Sequence, residues 1–490
     1  MINLIDSIHA HARAMPEKVA LILPKNRFSY RQLDQTVWRC AIALGEQGFK
    51  PGELVGLTFA NPLLHLLVAL SLARIGARQV ILSPRDPKRD REEAIKFLGV
   101  ERIITDTDWS GPELPRVVQW KKIPTTENKV VNFSDYANFG GDSVWLLVKS
   151  SGTTGKPKYA EVSHQVSMER FERWSDAFDY REDDVLWVGI DMNTVAGLQL
   201  NVSALQAGAT VCLPVGIAIY EDRARFAKTS EVTMAFDIPS HLRKLIALAD
   251  QPPYFTGIRR FYTGATEVSD ELRREVGDKV TPNLHIAYGT NEVSFAVTAT
   301  PELYRRIKDT VGRPHRRLEL QVVDEAGHSL PQGSIGEIRL RGAGMVSGYY
   351  RDPSMTARSF RDGWFYPGDL GYLTPEGALI LQGRTDDMMI YDGVNIYPAE
   401  IERVLSAHPA VLEVVAFSVE HHKFQQVPCA ALIAREAVRE QDLQRWGRER
   451  LGMRCPGRIL ILDKLPRNAA GKVMRRDLRD RLRKQLNDRG

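Results

Sequence analysis

The sequence predicts a large α/β N-terminal domain, built of two doubly wound α/β subdomains plus an antiparallel β subdomain, followed by a small α+β C-terminal domain. Three observations lead there. The chain has 490 residues, and single cores stop growing near about 250–300 residues, so at least two domains are needed. Strand-like and helix-like runs alternate up to about residue 150 and again over about 180–310, the pattern of parallel sheets covered on both faces. From about Val311 the pattern becomes strand-like alternation broken by Gly and Pro. The composition, 43% hydrophobic and 26% charged, excludes a disordered chain or a collagen-like or disulfide scaffold.

In the first alternation Ser29 caps a helix running to about Gly45, with Leu33, Val37, Ala41 and Leu44 on one face. Leu54–Phe59 reads as a buried strand. Leu63–Ala73 is the most apolar stretch, but at about half the ~20 residues needed to span a bilayer it reads as a buried helix. Strand Gln79–Leu82, helix Arg89–Leu98, strand Arg102–Ile104 and strand Ser143–Val148 follow. The second alternation gives strands Val185–Ile190, Thr210–Leu213, Glu231–Phe236, Arg259–Tyr262 and Leu284–Ala287. Helices Val195–Gln206, Ser240–Ala249 and Ser269–Val276 lie between them. Leu318–Val323, Gly336–Leu340 and Ala378–Gln382 form the antiparallel region. After Gly383 come a helix opening at Pro398, strands Val411–Val419 and Cys429–Ile433, a helix near Asp442–Leu451 and a basic helix from Met474. There is no internal repeat.

Composition narrows the compartment and the partners. The four cysteines, Cys40, Cys212, Cys429 and Cys455, fit neither a zinc site nor a redox pair, so reduced core thiols and a cytoplasmic setting are expected. The N-terminus lacks the basic and long apolar regions of a signal peptide. The net charge of +5 gives no reason to invoke nucleic acid.

The strand Ser143–Val148 runs into Lys149-Ser150-Ser151-Gly152-Thr153-Thr154-Gly155-Lys156-Pro157-Lys158. Glycines let successive amides point inward as an anion nest, and hydroxyls and lysines add donors and positive charge, which suits a triphosphate. Taken alone, such a segment is more often a polar surface loop. Its place directly after a buried strand and its lysine density favour phosphate binding. It is not a Walker A loop, because Pro157 follows Lys156 where Ser or Thr would stand.

With this loop the sequence resembles the acyl-adenylate-forming superfamily of acyl-CoA synthetases, peptide-synthetase adenylation domains and luciferases. Further segments continue the resemblance in order. They are Ala287-Tyr288-Gly289-Thr290-Asn291-Glu292, Val311-Gly312-Arg313-Pro314, Gly368-Asp369-Leu370-Gly371, Gly383-Arg384-Thr385-Asp386-Asp387, Gly393 to Glu402, and Asn468-Ala469-Ala470-Gly471-Lys472.

The resemblance implies that a carboxylic acid and ATP form an acyl-AMP and pyrophosphate, after which a thiol, CoA above all, takes the acyl group. It implies that the small domain is mobile, dividing the chain into 1–383 and 384–490 with a hinge near 385–387 centred on Asp386. Ser151, Thr153, Thr154 and Lys158 would hold the β- and γ-phosphates, with Gly152 and Gly155 part of the same ATP-binding loop. Glu292 would ligate Mg²⁺ and Thr290 would reach the α-phosphate. Tyr288 would stack on adenine, Gly289 would belong to the same nucleotide-binding segment, and Gly264 and Ala265 would line the base. Asp369 would accept both ribose hydroxyls, assisted by Arg384. Lys472 would stabilise the transition state between carboxylate and α-phosphate, and Gly393, Val394 and Asn395 would line the thiol's approach. Outside the motifs these residues have plainer readings: Glu292 a helix N-terminal carboxylate, Tyr288 a core residue, Gly368-Asp369 a turn, Lys472 a solvated loop.

Three positions depart from the family pattern: Tyr159 for Gly, Asn291 for Thr, and Pro367 for Thr. None removes a needed charge. Gly189 to Thr194 lacks the His or aromatic that many relatives place beside the acid. Candidate acyl-pocket residues are Asn193, Thr194, Phe236, Thr263 and Val297, mixed in polarity, which points to an aryl or medium-sized organic acid. His164 is expected in a structural contact and His421-His422-Lys423 in a solvated turn. The alternative acceptors are a carrier-protein phosphopantetheine or an amine. Only 18 residues follow Lys472, so such a carrier is expected to be a separate partner.

Split at the expected hinge, residues 384–490 hold 20 Lys and Arg against 15 Asp and Glu, while residues 1–383 hold 46 of each. The whole excess lies on the small domain. It reads either as a solvated terminal helix or as positive charge carried toward ATP and the phosphates of CoA.

Overall fold

The computed structural model describes residues 3–109, 116–124, 139–150, 158–391, 394–421, 425–467 and 473–487. Ser151, Gly152, Thr153, Thr154, Gly155, Gly393, His422, Lys423 and Lys472 lie outside the described residues, as does the side chain of Asn395.

Two sheets organise most of the chain. The first has six strands in the order Arg116–Gln119, Arg102–Thr105, Leu54–Thr58, Arg78–Ile81, Val144–Ser150 and Lys158–Ser163. The first five are parallel and the last is antiparallel to its neighbour. Every residue of Leu54–Thr58 is buried, as a strand covered on both faces requires.

The second sheet is parallel through Val19–Ile22, Thr210–Cys212, Val185–Val188, Met234–Asp237, Arg260–Gly264 and Leu284–Thr290. It then turns antiparallel through Ser294–Ala299 and Thr310–Pro314. Thr310–Pro314 in turn pairs with Leu379–Arg384, which leads into the antiparallel region through Asp369–Leu373 and Gly336–Gly342. The antiparallel subdomain is thus continuous with the second sheet.

A separate antiparallel sheet of Val394–Ile396, Met389–Tyr391, Gln425–Ala434 and Val411–His421 follows, with Arg458–Ile461 parallel at its edge. It has its own core around Ile401, Leu405, Leu432 and Leu443.

Local chemistry sets the helices. Ser29 and Gln32 close a reciprocal capping box on Tyr30–Glu46. In Pro62–Arg74 every residue from Leu63 to Ala73 is buried, consistent with an apolar helix enclosed between layers. It shares one core with Leu33, Val37 and Leu44 and with Leu198, Val202 and Leu205 of Val195–Gln206. Among the described residues no helix is long and apolar enough to cross a membrane. All four cysteines are free, and burial pushes the Cys40, Cys212 and Cys429 thiols up to about 12.

Some elements differ from the sequence expectation. The expected strand at Glu231 begins at Met234, because Glu231 adopts a left-handed φ of 53° in the preceding turn. Val19–Ile22 joins the second sheet from far earlier in the chain. Helices His164–Phe178 and Tyr220–Thr229 are additional.

Candidate active site

The site lies where the parallel part of the second sheet meets its antiparallel part. Leu284–Thr290 ends in Tyr288-Gly289-Thr290, turns through Asn291–Val293 and returns as Ser294–Ala299. Only glycine fits at 289, because a Cβ there would lie 2.0 Å from the Ser294 carbonyl oxygen. Gly264 faces Ala287 on the neighbouring strand, with 2.3 Å between its would-be Cβ and the Ala287 carbonyl oxygen. The next residue, Ala265, takes a left-handed φ of 71°.

One half of the site is built around Asp369. Its register opposite Arg384 lets Arg384 Nη1 donate to Oδ1 at 2.9 Å. Tyr288 donates its hydroxyl to Oδ2 at 2.5 Å. Burial, and then the Asp369 carboxylate, raise the Tyr288 pKa well above the ordinary value. Gly368 has a φ of 77°, and the Pro367 carbonyl accepts from Arg384 Nη2 at 2.9 Å. A backbone oxygen does this work, so proline in place of threonine costs the contact nothing.

The other half is built around Glu292, which is 3% exposed. Tyr349 donates its hydroxyl to Glu292 Oε1 at 2.8 Å, and Lys158 Nζ stands 5.2 Å from the centre of the Tyr349 ring. The strand that follows the expected phosphate loop thereby begins against the tyrosine that holds Glu292. Asn291 Nδ2 donates to the Lys149 carbonyl at 2.7 Å, so this departure ties the turn to the strand entering the same loop. The third departure, Tyr159, is 1% exposed and stacks on Phe97 with ring centres 6.0 Å apart. The Thr290 hydroxyl is buried and has no partner among the described residues.

These donors fit a shared cation. Among the described residues no cluster of three or more His, Cys, Asp or Glu could hold a metal alone. One buried carboxylate, with a hydroxyl two residues earlier that has no partner among the described residues, suits Mg²⁺, which commonly takes one or two protein carboxylates and completes its shell with phosphate oxygens and water.

Of the expected acyl-pocket residues, Phe236 is buried against Phe295 at 5.3 Å between ring centres, and Val297 is buried opposite Tyr288 in the strand register. The Thr263 hydroxyl is buried without a partner among the described residues. Asn193 Nδ2 donates to the Phe59 carbonyl at 2.7 Å, while its Oδ1 is buried with no partner among them. The Thr194 hydroxyl caps Val195–Gln206 by accepting from Gly197 N at 3.0 Å.

Several residues escaped the sequence reading. Phe295 packs among Trp174, Phe178 and Phe236, and Tyr349 holds Glu292; a lone aromatic outside a motif carries no chemical signature. Asp237, fully buried, accepts from the Tyr220 hydroxyl at 2.5 Å and meets His241 Nδ1 at 2.7 Å. A Cβ at Gly189 would lie 2.0 Å from its carboxylate, so Asp237 backs the segment that carries Asn193.

At the expected hinge, Thr385–Asp387 forms one 3-10 turn. Asp387 rather than Asp386 takes the ion pair with the basic helix Arg475–Asn487, through Arg475 Nη1 at 3.1 Å. Val394 opens the strand Val394–Ile396. His164 makes a structural contact, its Nδ1 accepting from Leu4 N at 3.2 Å.

Comparison with known proteins agrees with this architecture. The AMP-binding enzyme family profile matches residues 8–350, and that of the AMP-binding enzyme C-terminal domain matches residues 400–472. The 2-succinylbenzoate–CoA ligase of Bacillus subtilis (strain 168) is 28% identical over 480 residues, covering 97% of each chain. The structure of o-succinylbenzoate CoA synthetase from Bacillus subtilis with its acyl-adenylate intermediate superposes with a TM-score of 0.87. It is 26% identical and covers 97% of this chain and 98% of its own. The same enzyme with ATP and a magnesium ion gives a TM-score of 0.88 at 25% identity, covering 97% and 99%. The chain belongs to the AMP-binding enzyme family.

Proposed function

We propose that this chain is an AMP-forming acid–CoA ligase. It activates a carboxylic acid with ATP to an acyl-AMP, releases pyrophosphate and transfers the acyl group to the CoA thiol. The observation that carries this reading is the pairing of two half-sites on one strand turn. Asp369 with Arg384 and Tyr288 suits a nucleoside, and Glu292, with Lys158 against the same Tyr349 ring, suits a metal-bound triphosphate.

A carboxylate is a poor electrophile and a poor partner for a polyanion, so the protein must bring anions together and offset their charge. In this reading the Asp369 carboxylate accepts the two ribose hydroxyls, a charge-assisted arrangement that suits adjacent donors. Tyr288 lies against the base and Gly264 leaves room beside it. Glu292, with Thr290 nearby, holds Mg²⁺, which when bound neutralises phosphate charge. Ser151, Thr153, Thr154 and Lys158 take the β- and γ-phosphates. Lys472 meets the acid carboxylate and the α-phosphate as the carboxylate oxygen attacks phosphorus and pyrophosphate departs. The small domain then turns about Asp386, and Gly393, Val394 and Asn395 line the path of the thiol. Thiolate attack on the acyl carbon expels AMP.

The expected acyl-pocket residues Asn193, Thr194, Phe236, Thr263 and Val297 are mixed in polarity, which suits an aryl or medium-sized organic acid with a further oxygen function. The relatives named for 2-succinylbenzoate make that acid the first to test. Acid-dependent ATP–pyrophosphate exchange across a carboxylic-acid library, followed by CoA and a panel of holo-carriers, tests the reading. Exchange with an aryl acid and thioester formation with CoA are expected. No exchange with any acid, or transfer to a carrier or amine but not to CoA, would overturn it.

A further inference from the structure

Two guanidinium groups lie inside the protein behind the turn that carries Glu292. Arg170 and Arg173 stand on the helix His164–Phe178, 2% and 0% exposed. Neither forms an ion pair among the described residues; Glu292 and Glu169 act on them only at longer range. Burial, reinforced by Arg173, lowers the Arg170 pKa to about 9. An apolar pair would fill the same site without taking two charges out of water, so packing alone does not account for these residues.

Their hydrogen bonds point to one place. Arg170 Nη2 donates to the carbonyls of Asn291 and Glu292, both at 3.0 Å, and its Nε donates to the Gly344 carbonyl at 2.8 Å. Arg173 donates to the carbonyls of Val293 and Ala343. Three consecutive carbonyls of the Glu292 turn are thus gripped by two rigid forks, a geometry lysine cannot reproduce. Gly344, with a φ of 80°, makes room: a Cβ there would lie 2.8 Å from Arg170 Cγ. Arg170 Nη1 and Arg173 Nε have no partner among the described residues, so the charge is incompletely compensated within the chain.

We propose that Arg170 and Arg173 are positioning residues for the metal–triphosphate site. They fix the Asn291–Val293 turn so that the Glu292 carboxylate is presented to the cation, and their buried charge favours the arriving polyanion. The inference rests on the reading of Glu292 as the Mg²⁺ ligand. It extends that reading to a pair of residues that never touch substrate.

The test is calorimetric titration of the full-length protein with ATP, with and without Mg²⁺, in the absence of acid so that no turnover occurs. Tightening of ATP binding by Mg²⁺ is expected in the wild type. Arg170→Met is expected to lose at least tenfold of that tightening, and Arg170→Lys, which keeps the charge but not the fork, to lose an intermediate amount. A lowered thermal midpoint with unchanged Mg²⁺-dependent tightening would mean a merely structural role and would overturn the proposal. Should Arg170→Met fail to fold, Arg170→Lys is read by the same criterion. Glu292→Gln separates the two layers: if it leaves the Mg²⁺ effect intact, the underlying assignment of Glu292 fails. If it abolishes the effect while the Arg170 variants do not, only the present inference fails.

Discussion

The Tyr288 hydroxyl and the Asp369 carboxylate meet at 2.5 Å across the join between the parallel and antiparallel parts of one sheet. Arg384 occupies the other oxygen of Asp369. A ribose that used this carboxylate would compete with Tyr288 but leave Arg384 in place. Asp369→Asn removes a charged acceptor, whose hydrogen bonds contribute about 1.5–3 kcal/mol each. It is expected to lower kcat/KM for ATP at least tenfold in pyrophosphate exchange. Tyr288→Phe keeps the ring and removes only the competing donor, so KM for ATP should stay within about threefold. Equal losses in the two variants would show that the hydroxyl, not the carboxylate, is the ligand.

The turn Thr385–Asp387 joins two bodies that also touch through ion pairs. Arg403 meets Asp309 at 3.0 Å, and Arg435 meets Glu271 at 2.7 Å. Partly exposed pairs of this kind contribute about 0–1 kcal/mol each and are weakened by salt, as the proposed rotation of the small domain would need. Asp386→Pro restricts the backbone where the reading places the pivot. Thioester formation from preformed acyl-AMP should fall more than pyrophosphate exchange does, whereas Lys472→Ala should sharply lower exchange. Measuring both half-reactions in both variants decides the matter, since parallel losses would remove the distinction between pivot and catalytic lysine.

Much of this was legible in the sequence because the chemistry is local. Ser29 and Gln32 announce a capping box, and Val195–Gln206 was readable to the residue from its apolar run. Tyr288, Glu292, Asp369 and Arg384 were legible as motif members, and the structure brings them into two adjoining half-sites. What escaped depends on partners distant in sequence. Nothing near Val19 predicts pairing with Val211's strand. Tyr349 and Arg170 reach Glu292 over separations of 57 and 122 residues. The ion pair of Asp387 could not be foreseen without knowing where Arg475 lies.

Gly312 gives the Val311-Gly312-Arg313-Pro314 motif a physical reason. Its φ is 114°, and a Cβ there would lie 1.9 Å from both the carbonyl carbon and oxygen of Thr298 on the neighbouring strand. The obstacle is backbone, which cannot move aside as a flexible side chain could. Gly312→Ala is expected to destabilise the protein by about 3 kcal/mol or more, read from the denaturant midpoint of the large domain. A change below about 1 kcal/mol would mean that the two strands can separate at little cost, and the close crossing would then not explain the glycine.

Among the described residues four histidines are buried as neutral rings. Desolvation lowers His65, His164 and His285 to about 4 and His315 to about 3, from an ordinary 6.5. Unfolding returns them to water, where they bind protons near 6.5. The unfolded state therefore takes up more protons below that value, and stability falls as pH drops from about 6.5 toward 4. Each ring contributes a slope approaching about 1.4 kcal/mol per pH unit within that window. Above about 7 none of them makes stability depend on pH. His315 meets the Thr298 hydroxyl at 2.7 Å through Nε2, and glutamine can retain a polar contact there without titrating. Urea unfolding of wild type and His315→Gln at several pH values between about 7 and 5 should show a shallower loss in the variant, by up to about 1.4 kcal/mol per pH unit. Parallel curves would mean that His315 is protonated in the folded protein or shielded equally in the unfolded one, and the acid sensitivity would then belong to other groups.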